Sequence, residues 1–358
     1  MNDKILTLFS SNHTLQYEKD VFSVLSLPRG CEFQFRYEKD YVEDSVKTIF
    51  LNDRDISKYK ALVAFRSASE INEPESFIIP IRWVRIDRVE SNANSIWSVY
   101  FITEGYPKFT YEYSNLTTTD QLSSSAELIF KSFSKRDLAV LPNTISSVEL
   151  DENKSTEDRD KENWFDIIKR IAILSKYKKM HFLRCTKFYG FNESLSKIYN
   201  NVVNSRIEMI EKKPAYIDVE YYSIEYNKSD KNELEVFVND KILNKTNGLK
   251  NSLDSRYGTK TIGFQPQSVP NNTYTEIVIS TKTTPTSQDL INTELSFPII
   301  VAKNKSYRAL KAFVMALGGL FVALPGIIDT NLFYGWNIVL ATIGVAILGI
   351  GSYWESEE

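Results

Sequence analysis

Two apolar runs near the C-terminus constrain this chain more than any other feature. Residues 312–328 and 332–354 contain no charged side chain, and only the triplet Asp329-Thr330-Asn331 separates them. As α-helices rising about 1.5 Å per residue they would be roughly 26 and 34 Å long, against a membrane hydrocarbon layer of about 30 Å. The sequence therefore predicts a two-helix transmembrane hairpin within residues 304–358.

Charged residues around this hairpin predict its orientation. Four basic residues precede the first run, whereas the turn at 329–331 carries none: Lys303, Lys305, Arg308 and Lys311. Because basic residues concentrate on the cytoplasmic side of membrane helices, we expect the N-terminal bulk and the C-terminal tail to be cytoplasmic. The first ten residues become polar too early for a signal peptide. The expected location is the cell (inner) membrane, as a multi-pass protein.

Small residues recur on one face of each predicted membrane helix. In lipid, small side chains let helices approach closely, because van der Waals packing drives their association. The simplest interpretation is that they pack the two helices against each other, but they could also support assembly between protomers. Neither run carries an ionisable residue, which argues against a transporter or pump. The residues are Ala312, Ala316, Gly319 and Ala323 in the first helix, and Ala341, Gly344 and Gly351 in the second.

Residues 1–150 predict a β-rich soluble domain. Short apolar runs with many β-branched and aromatic residues alternate with polar clusters, a pattern typical of short strands. The turn signal Leu27-Pro28-Arg29-Gly30 separates two of them. A small barrel or sandwich would accommodate so many short strands, with one helix at 123–134. The predicted strands are 5–9, 21–27, 31–37, 61–65, 77–89, 96–103 and 108–113.

The middle of the chain changes character twice. Residues 151–163 contain no apolar side chain, so we expect a charged linker there. Apolar residues at spacings of three and four then predict helices at 164–174 and 193–212, the second ended by Pro214. From 214 to 303 the pattern returns to strands and predicts an immunoglobulin-like β-sandwich. Its predicted strands are 216–226, 233–238, 260–264, 274–280 and 296–302.

The fold class expected is therefore mainly β. It comprises a barrel or sandwich, a small central helical segment at 164–213, an immunoglobulin-like sandwich and the C-terminal two-helix transmembrane hairpin. With 358 residues and 42% apolar composition the chain is long enough for two soluble domains beside the hairpin.

The segment 167–192 is strongly basic and contains no acidic residue. Three interpretations remain open: a solvated basic helix face whose aromatic side chains belong to the core, a surface for anionic lipid headgroups, or a surface for nucleic acid or an acidic protein. The net charge of −3 argues against a protein that coats nucleic acid. The basic residues are Lys169, Arg170, Lys176, Lys178, Lys179, Arg184 and Lys187.

A set of arginines in the N-terminal domain forms a second candidate site. Guanidinium groups bind phosphate through paired hydrogen bonds, so a nucleotide or phosphate pocket is conceivable. Exposed arginines paired with nearby carboxylates are the more common arrangement. The set consists of Arg29, Arg36, Arg66, Arg82, Arg85 and Arg88.

The sequence contains no catalytic signature. It lacks phosphate-binding glycine loops and the His-Glu-x-x-His motif, and neither His13 nor His181 lies in a nucleophile-base pattern. Cys31 and Cys185 are too few for a structural zinc site and are expected to be free thiols. We therefore expect a non-enzymatic protein without cofactor or metal, and an unrecognised carboxylate site is the remaining enzymatic alternative.

A strand-rich cytoplasmic body with a basic flank and a terminal membrane hairpin at 312–354 resembles the membrane effectors of prokaryotic antiphage defence systems. Examples are effectors associated with short Argonautes, retrons or cyclic-nucleotide signalling. The resemblance covers the layout only and implies that soluble domains bind a signal or partner, such as a protein or nucleic acid. It further implies that the hairpin self-associates in the lipid bilayer and disrupts it. The alternative is a passive membrane-tethered adaptor.

Overall fold

The computed structural model describes most of the chain in segments, and the protein is mainly β with few helices. The description covers residues 5–11, 15–53, 55–66, 78–91, 96–109, 138–140, 148–149, 157–172, 177–190, 202–203, 206–228, 231–246, 252–284, 293–327 and 336–356.

The N-terminal half is built on one six-stranded mixed sheet in the order β2-β5-β4-β3-β1-β7. Strands β1 and β3 are parallel, and the other neighbours are antiparallel. The elements are β1 (Leu6–Ser11), α1 (Leu15–Ser26), β2 (Glu32–Glu38), α2 (Asp44–Asn52), β3 (Lys60–Arg66), β4 (Ile78–Ser91), β5 (Ile96–Thr103), the short pair β6 (Lys108–Phe109) and β8 (Val148–Glu149), β7 (Leu138–Val140) and α3 (Glu157–Ile171).

This sheet curls around a core that its helices complete. An isolated bridge joins Val42, just after β2, to Leu138 on β7, so opposite ends of the strand order approach each other. Buried residues of α1, α2 and α3 pack with the sheet in one apolar cluster. The predicted barrel or two-sheet sandwich is thus one curled sheet with helices packed against it.

Two further sheets form a β-sandwich. One has the order β10-β11-β17-β16-β13, with β11 parallel to β17, and the other the order β14-β15-β12-β9. A single apolar cluster draws buried side chains from both sheets. The strands are β9 (His181–Gly190), β10 (Val202–Val203), β11 (Arg206–Ile210), β12 (Ala215–Ser223), β13 (Lys231–Phe237), β14 (Leu243–Lys245), β15 (Tyr257–Pro266), β16 (Thr273–Thr284) and β17 (Glu294–Ala302).

Helix α4 (Lys305–Ile327) follows β17 after only two residues, and α5 (Trp336–Ser356) packs against it. By length and composition, one helix in the described part of the chain, over Lys305–Leu324, can cross a membrane. Residues Ile338–Gly349 of α5 form a shorter apolar stretch. Almost none of the α4 stretch is buried within the protein.

The N-terminal sheet contacts the sandwich at the end remote from α4. Ser26 of α1 donates a hydrogen bond to the carbonyl of Leu183 at 2.5 Å, and Lys19 pairs with Glu294 at 2.9 Å. Leu183 and Glu294 lie near the starts of β9 and β17, whereas α4 follows the end of β17. The sandwich therefore separates the N-terminal sheet from the apolar helices.

Three predicted segments differ from the structure. Residues 21–26 belong to helix α1 rather than to a strand, because Val21, Val24 and Leu25 recur at helical spacing and are all buried. Residues 157–163 are helical rather than a linker, since they form the polar first turns of α3. Residues 206–210 form strand β11 rather than the end of a helix at 193–212, with Ile207 and Met209 alternating into the core.

The remaining predictions divide between those that the structure describes and those outside it. Strands cover the predicted segments at 61–65, 96–103, 260–264, 274–280 and 296–302. Strand β9, which precedes the predicted start of the sandwich at 214, and helix α2 were not predicted. The predicted helix at 123–134, most of the predicted strand at 108–113 and residues 193–201 lie outside the described residues.

Candidate functional site

Several polar groups form hydrogen bonds at the junction between the sandwich and helix α4, where the chain passes from β17 into the apolar helices. Strand β11 ends at Ile210, and the turn at residues 211–213 lies beside the end of β17, where the amide of Glu211 donates to the carbonyl of Ala302 at 2.9 Å. Asn304 caps the helix, because its side-chain oxygen accepts a hydrogen bond from the amide of Tyr307 at 3.0 Å.

Glu211 is the centre of this junction. Its side chain is 0% exposed, and Arg308 donates to both carboxylate oxygens, from Nε at 2.5 Å and from Nη2 at 2.7 Å. The backbone amides of Asn304 and Val269 donate to the same carboxylate at 2.9 and 3.1 Å. Arg308 also donates to the carbonyl of Val269. One buried carboxylate therefore ties β11, the loop after β15 and the first turn of α4 together.

Opposing effects set the pKa of Glu211. Burial raises it, but the hydrogen bonds from Arg308, Val269 and Asn304, with the positive charge of Arg308, outweigh burial and lower the pKa to about 2. The carboxylate is therefore ionised at neutral pH. An ionised, fully bonded carboxylate makes the junction rigid, so that it restricts rotation of α4 relative to the sandwich.

Helices α4 and α5 approach each other closely at two glycines. A Cβ atom placed on Gly344 would lie 2.8 Å from the backbone nitrogen of Val322, and one placed on Gly318 would lie 2.8 Å from Cγ of Leu348. The pairs 318 with 348 and 322 with 344 run in opposite directions, so the helices are antiparallel. Gly318 was not among the predicted packing residues, although glycine in an apolar run was the available signal.

The predicted small-residue face of α4 lies away from α5. Ala312, Ala316, Gly319 and Ala323 are exposed, and a Cβ atom on Gly319 would meet no atom within 4 Å. In α5, Gly344 is buried at the helix contact and Ala341 is half-buried, whereas the side-chain surroundings of Gly351 lie outside the description. The seven predicted residues therefore do not share one contact between the two helices.

The structure divides the basic segment at 167–192. Arg170 is buried beside Asp166 at 3.2 Å, and Arg184 is buried against Glu220 at 2.6 Å. The aromatic side chains of Tyr177, Phe182 and Phe188 are in the core. Residues 181–190 form strand β9, so the segment is not one continuous basic helix face.

The lysines of this segment do not form a single patch with the buried arginines. Lys178 and Lys179 are exposed on the turn before β9, at the end of the sandwich remote from α4. Lys169 lies on α3, and Lys187 lies on β9 opposite Asp218. Lys176 lies outside the described residues.

The N-terminal arginines have separate surroundings. Arg88 pairs with Glu32 at 2.8 Å and also contacts Asp87 and Glu90. Arg66 lies over the ring of Phe9, with its guanidinium carbon 4.4 Å from the ring centre. Arg36 and Arg85 are exposed positions on β2 and β4. These four residues do not converge on one pocket in the described structure.

Arg29 and Arg82 are the two members of the set whose charges influence each other. Arg29 forms two hydrogen bonds with Asp160, both at 2.6 Å. Arg82 is 1% exposed, donates to the carbonyl of Glu104 at 2.7 Å and lies 3.8 Å from the ring centre of Tyr106. Burial lowers the pKa of Arg82. Arg29 thus joins the turn before β2 to α3 through Asp160, and the guanidinium of Arg82 is buried on the ring of Tyr106, so neither residue presents an open phosphate site.

The residue types that commonly hold metals or carry out catalysis are dispersed. In the described segments, no three His, Cys, Asp or Glu side chains lie close enough together to hold a metal ion. Cys31 and Cys185 are free and buried. His181 is 3% exposed, and burial lowers its pKa to about 4. His13 lies outside the described residues.

Glu211 is the residue that sequence reasoning missed. It fell within a predicted helix, where a glutamate is ordinary, and Arg308 was considered only as part of the basic flank. Their pairing depends on the parallel alignment of β11 with β17, which no local pattern indicates. The amino-acid sequence matches no protein-family model, and no curated protein matches it.

Proposed function

We propose that this protein is a membrane-anchored, non-enzymatic effector. Its cytoplasmic β-rich body binds a partner or signal, and helices α4 and α5 insert as a hairpin that self-associates and disrupts the membrane. The observation that carries the proposal is the apolar surface of the two helices, which is left uncovered by the rest of the protein. Phe313 is 62% exposed, Leu320 57% and Ile338 73%.

The exposed apolar surface supports insertion into lipid. In water such a surface would cost about 25 cal/mol for each Å² of apolar area, whereas lipid acyl chains cover it without that cost. The antiparallel contact of α4 and α5 places residue 305 and residue 356 at the same end of the pair. Together with the basic residues before the first apolar run, this supports a cytoplasmic position for both ends.

The small-residue face of α4 supports self-association. Gly318 and Gly344 serve the contact within one chain, whereas Ala316 and Gly319 remain exposed on α4. Small exposed residues permit close helix contact in lipid, so this face suits a second copy of the hairpin. The bonded junction at Glu211 would couple clustering of the bodies to clustering of the helices.

Membrane potential after induced expression tests the effector function. We expect depolarisation, reported by a potential-sensitive dye, once the activating partner is supplied. Gly319→Leu should abolish depolarisation by filling the exposed face of α4. Gly349→Leu is the matched control, because a Cβ atom on Gly349 also meets nothing within 4 Å. A potential that stays constant with the wild-type protein under activating conditions would contradict the proposal.

Replacement of residues 305–356 by an unrelated two-helix anchor distinguishes the passive adaptor. An adaptor needs only to be held at the membrane, so it would keep its function after the exchange. The effector would be inactive although still localised to the membrane.

A further inference from the structure

We propose that the base of helix α4 carries a binding surface for anionic phospholipid headgroups, formed by Lys212, Lys213, Lys303 and Lys305. We call these four residues the lysine collar. The inference deepens the proposed membrane insertion and rests on it, because the collar faces lipid headgroups only if α4 is inserted.

The fold brings together two lysine pairs that are 90 residues apart in the sequence. Lys303 and Lys305 lie between β17 and the first turn of α4. Lys212 and Lys213 lie in the turn after β11, which is held to the end of β17 through Glu211 and Ala302. The amide of Lys212 donates to the carbonyl of Pro266 at 2.9 Å. All four lysines therefore lie at the end of the sandwich from which α4 leaves.

The backbone of Lys212 is unusual. Its φ angle is 59°, the only positive value at a non-glycine residue in the described part of the chain. This left-handed conformation disfavours residues that carry a Cβ atom, by roughly 1–2 kcal/mol. It reverses the chain tightly between β11 and β12, so that two consecutive lysines occupy the short turn next to the helix base.

The collar retains its positive charge. Glu211 is buried and already bonded to Arg308, so it does not neutralise the neighbouring lysines. Within the described residues none of the four lysines forms an ion pair. The nearby turn after β13 contributes the exposed residues Asp240 and Lys241, whose charges balance. The local excess of positive charge therefore favours an anionic partner.

The height of the collar fits phospholipid headgroups. Lys305 precedes the first apolar run by seven residues, about 10 Å along a helix. The polar headgroup layer is about 5–8 Å thick on each side of the membrane, so the flexible lysine side chain reaches it from just outside. Tyr274 on β16 lies opposite Ile300, near the end of β17, and is 65% exposed. Tyrosine is enriched at the same level of membrane proteins, because its ring is amphipathic. Among anionic partners, the geometry therefore favours a lipid headgroup.

Quenching of tryptophan fluorescence by brominated lipids tests the collar in the full-length protein reconstituted into vesicles. Trp354 lies near the C-terminal end of α5, which the antiparallel contact places beside the start of α4, so a lipid held by the collar quenches it, whereas Trp336 lies at the opposite end of the helix pair. Brominated phosphatidylglycerol is compared with brominated phosphatidylcholine at equal fractions. We expect the wild-type protein to prefer phosphatidylglycerol by about fivefold for each engaged lysine.

The test variant is Lys212→Gln/Lys213→Gln, which leaves Lys303 and Lys305 at the start of α4 in place for orientation. We expect it to lose most of the preference for phosphatidylglycerol. The matched control is Lys178→Gln/Lys179→Gln, which makes the same change of charge at exposed residues. Those residues lie beyond the opposite end of β12, about 26 Å away along the strand. The control should retain the wild-type preference.

Resistance to alkaline carbonate extraction, measured on the same samples, separates failure of the collar from failure of the proposed function. If the wild-type protein resists extraction but both brominated lipids quench it equally, the proposed lipid binding by the collar is wrong and membrane insertion is still supported. An unchanged preference in Lys212→Gln/Lys213→Gln would also overturn lipid binding by the collar. A protein that carbonate extracts, and that neither lipid quenches, would overturn membrane insertion and the collar with it.

Discussion

Replacement of Glu211 by glutamine should loosen the attachment of α4 to the sandwich. The substitution keeps the size of the side chain but removes the charge that accepts two hydrogen bonds from Arg308 and two from backbone amides. Loss of one partner from a buried ion pair costs about 3–5 kcal/mol. Arg308 is 37% exposed, so water can solvate its guanidinium, and we expect a value near the lower limit.

A loss of about 3 kcal/mol shifts the opening equilibrium of the junction by roughly 150-fold. Hydrogen exchange measures this equilibrium directly, because the amides of Val269 and Asn304 donate to the carboxylate and exchange when the junction opens. Peptides covering residues 267–272 and 302–308 should therefore exchange roughly 150-fold faster in Glu211→Gln. Glu208→Gln, three residues earlier on β11, is the control and should leave both peptides unchanged. An acceleration below about fivefold in both peptides, equivalent to about 1 kcal/mol, would refute this account of the junction.

Acid should open the same junction without a mutation. The pKa of Glu211 is lowered from 4.5 to about 2, so the folded state favours the ionised carboxylate. Its contribution to stability is present above pH 4.5 and is lost as the pH falls toward 2. Exchange of the two peptides, corrected for the intrinsic pH dependence, should accelerate across this interval in the wild-type protein but not in Glu211→Gln.

Three further predictions concern other parts of the chain. The pKa of His181 is lowered from 6.5 to about 4, so the unfolded state binds its proton more readily and the contribution of His181 to the free energy of unfolding should fall as the pH decreases from 6.5 to 4. Asp20, whose pKa burial raises to about 6, contributes the opposite slope in both proteins. Chemical denaturation should therefore show the wild type losing stability relative to His181→Gln across this interval. Gly344→Val should separate α4 from α5, because its Cβ atom would lie 2.8 Å from backbone and side-chain atoms of Val322. Gly349→Val should leave the two helices in contact. Cross-linking between cysteines introduced into the two helices measures the difference. Cys31 and Cys185 should resist alkylation in the native protein and react fully in denaturant, because both are buried and burial raises the pKa of each thiol, that of Cys31 to about 12. Rapid labelling of either thiol in the native protein would show that solvent reaches that part of the core.

The parts of the fold that sequence predicted well are those in which one periodicity dominates. Strands such as β3 and β5 carry continuous or alternating apolar residues between polar clusters, and the first apolar C-terminal run has no competing pattern. The prediction of a strand at 21–27 was wrong because a short run rich in valine and leucine fits a strand and a buried helix equally well. The segment is helical because, as a helix, it packs its apolar side chains against the N-terminal sheet.

Charged residues were harder to place because their roles depend on distant partners. Asp160 lies in the segment predicted as a charged linker, yet it forms an ion pair with Arg29, which is 131 residues away. Arg184 belongs to the segment predicted as a basic surface, yet it is buried and forms an ion pair with Glu220 on the neighbouring strand. Glu211 and Arg308 are 97 residues apart. Such pairs follow from strand order, which local periodicity does not encode.

The two-residue connection between β17 and α4 fixes the rotational phase of the apolar helices relative to the body. The backbone amide of Lys303 donates to the side-chain oxygen of Asn272 at 3.2 Å, and Asn304 is bonded through its backbone and its side chain, so both connecting residues are held in place. Insertion of one residue there would turn α4 by about 100° around its axis while moving it only about 1.5 Å. In the proposed assembly, the connection between β17 and α4 therefore determines which face of α4 meets the neighbouring copy.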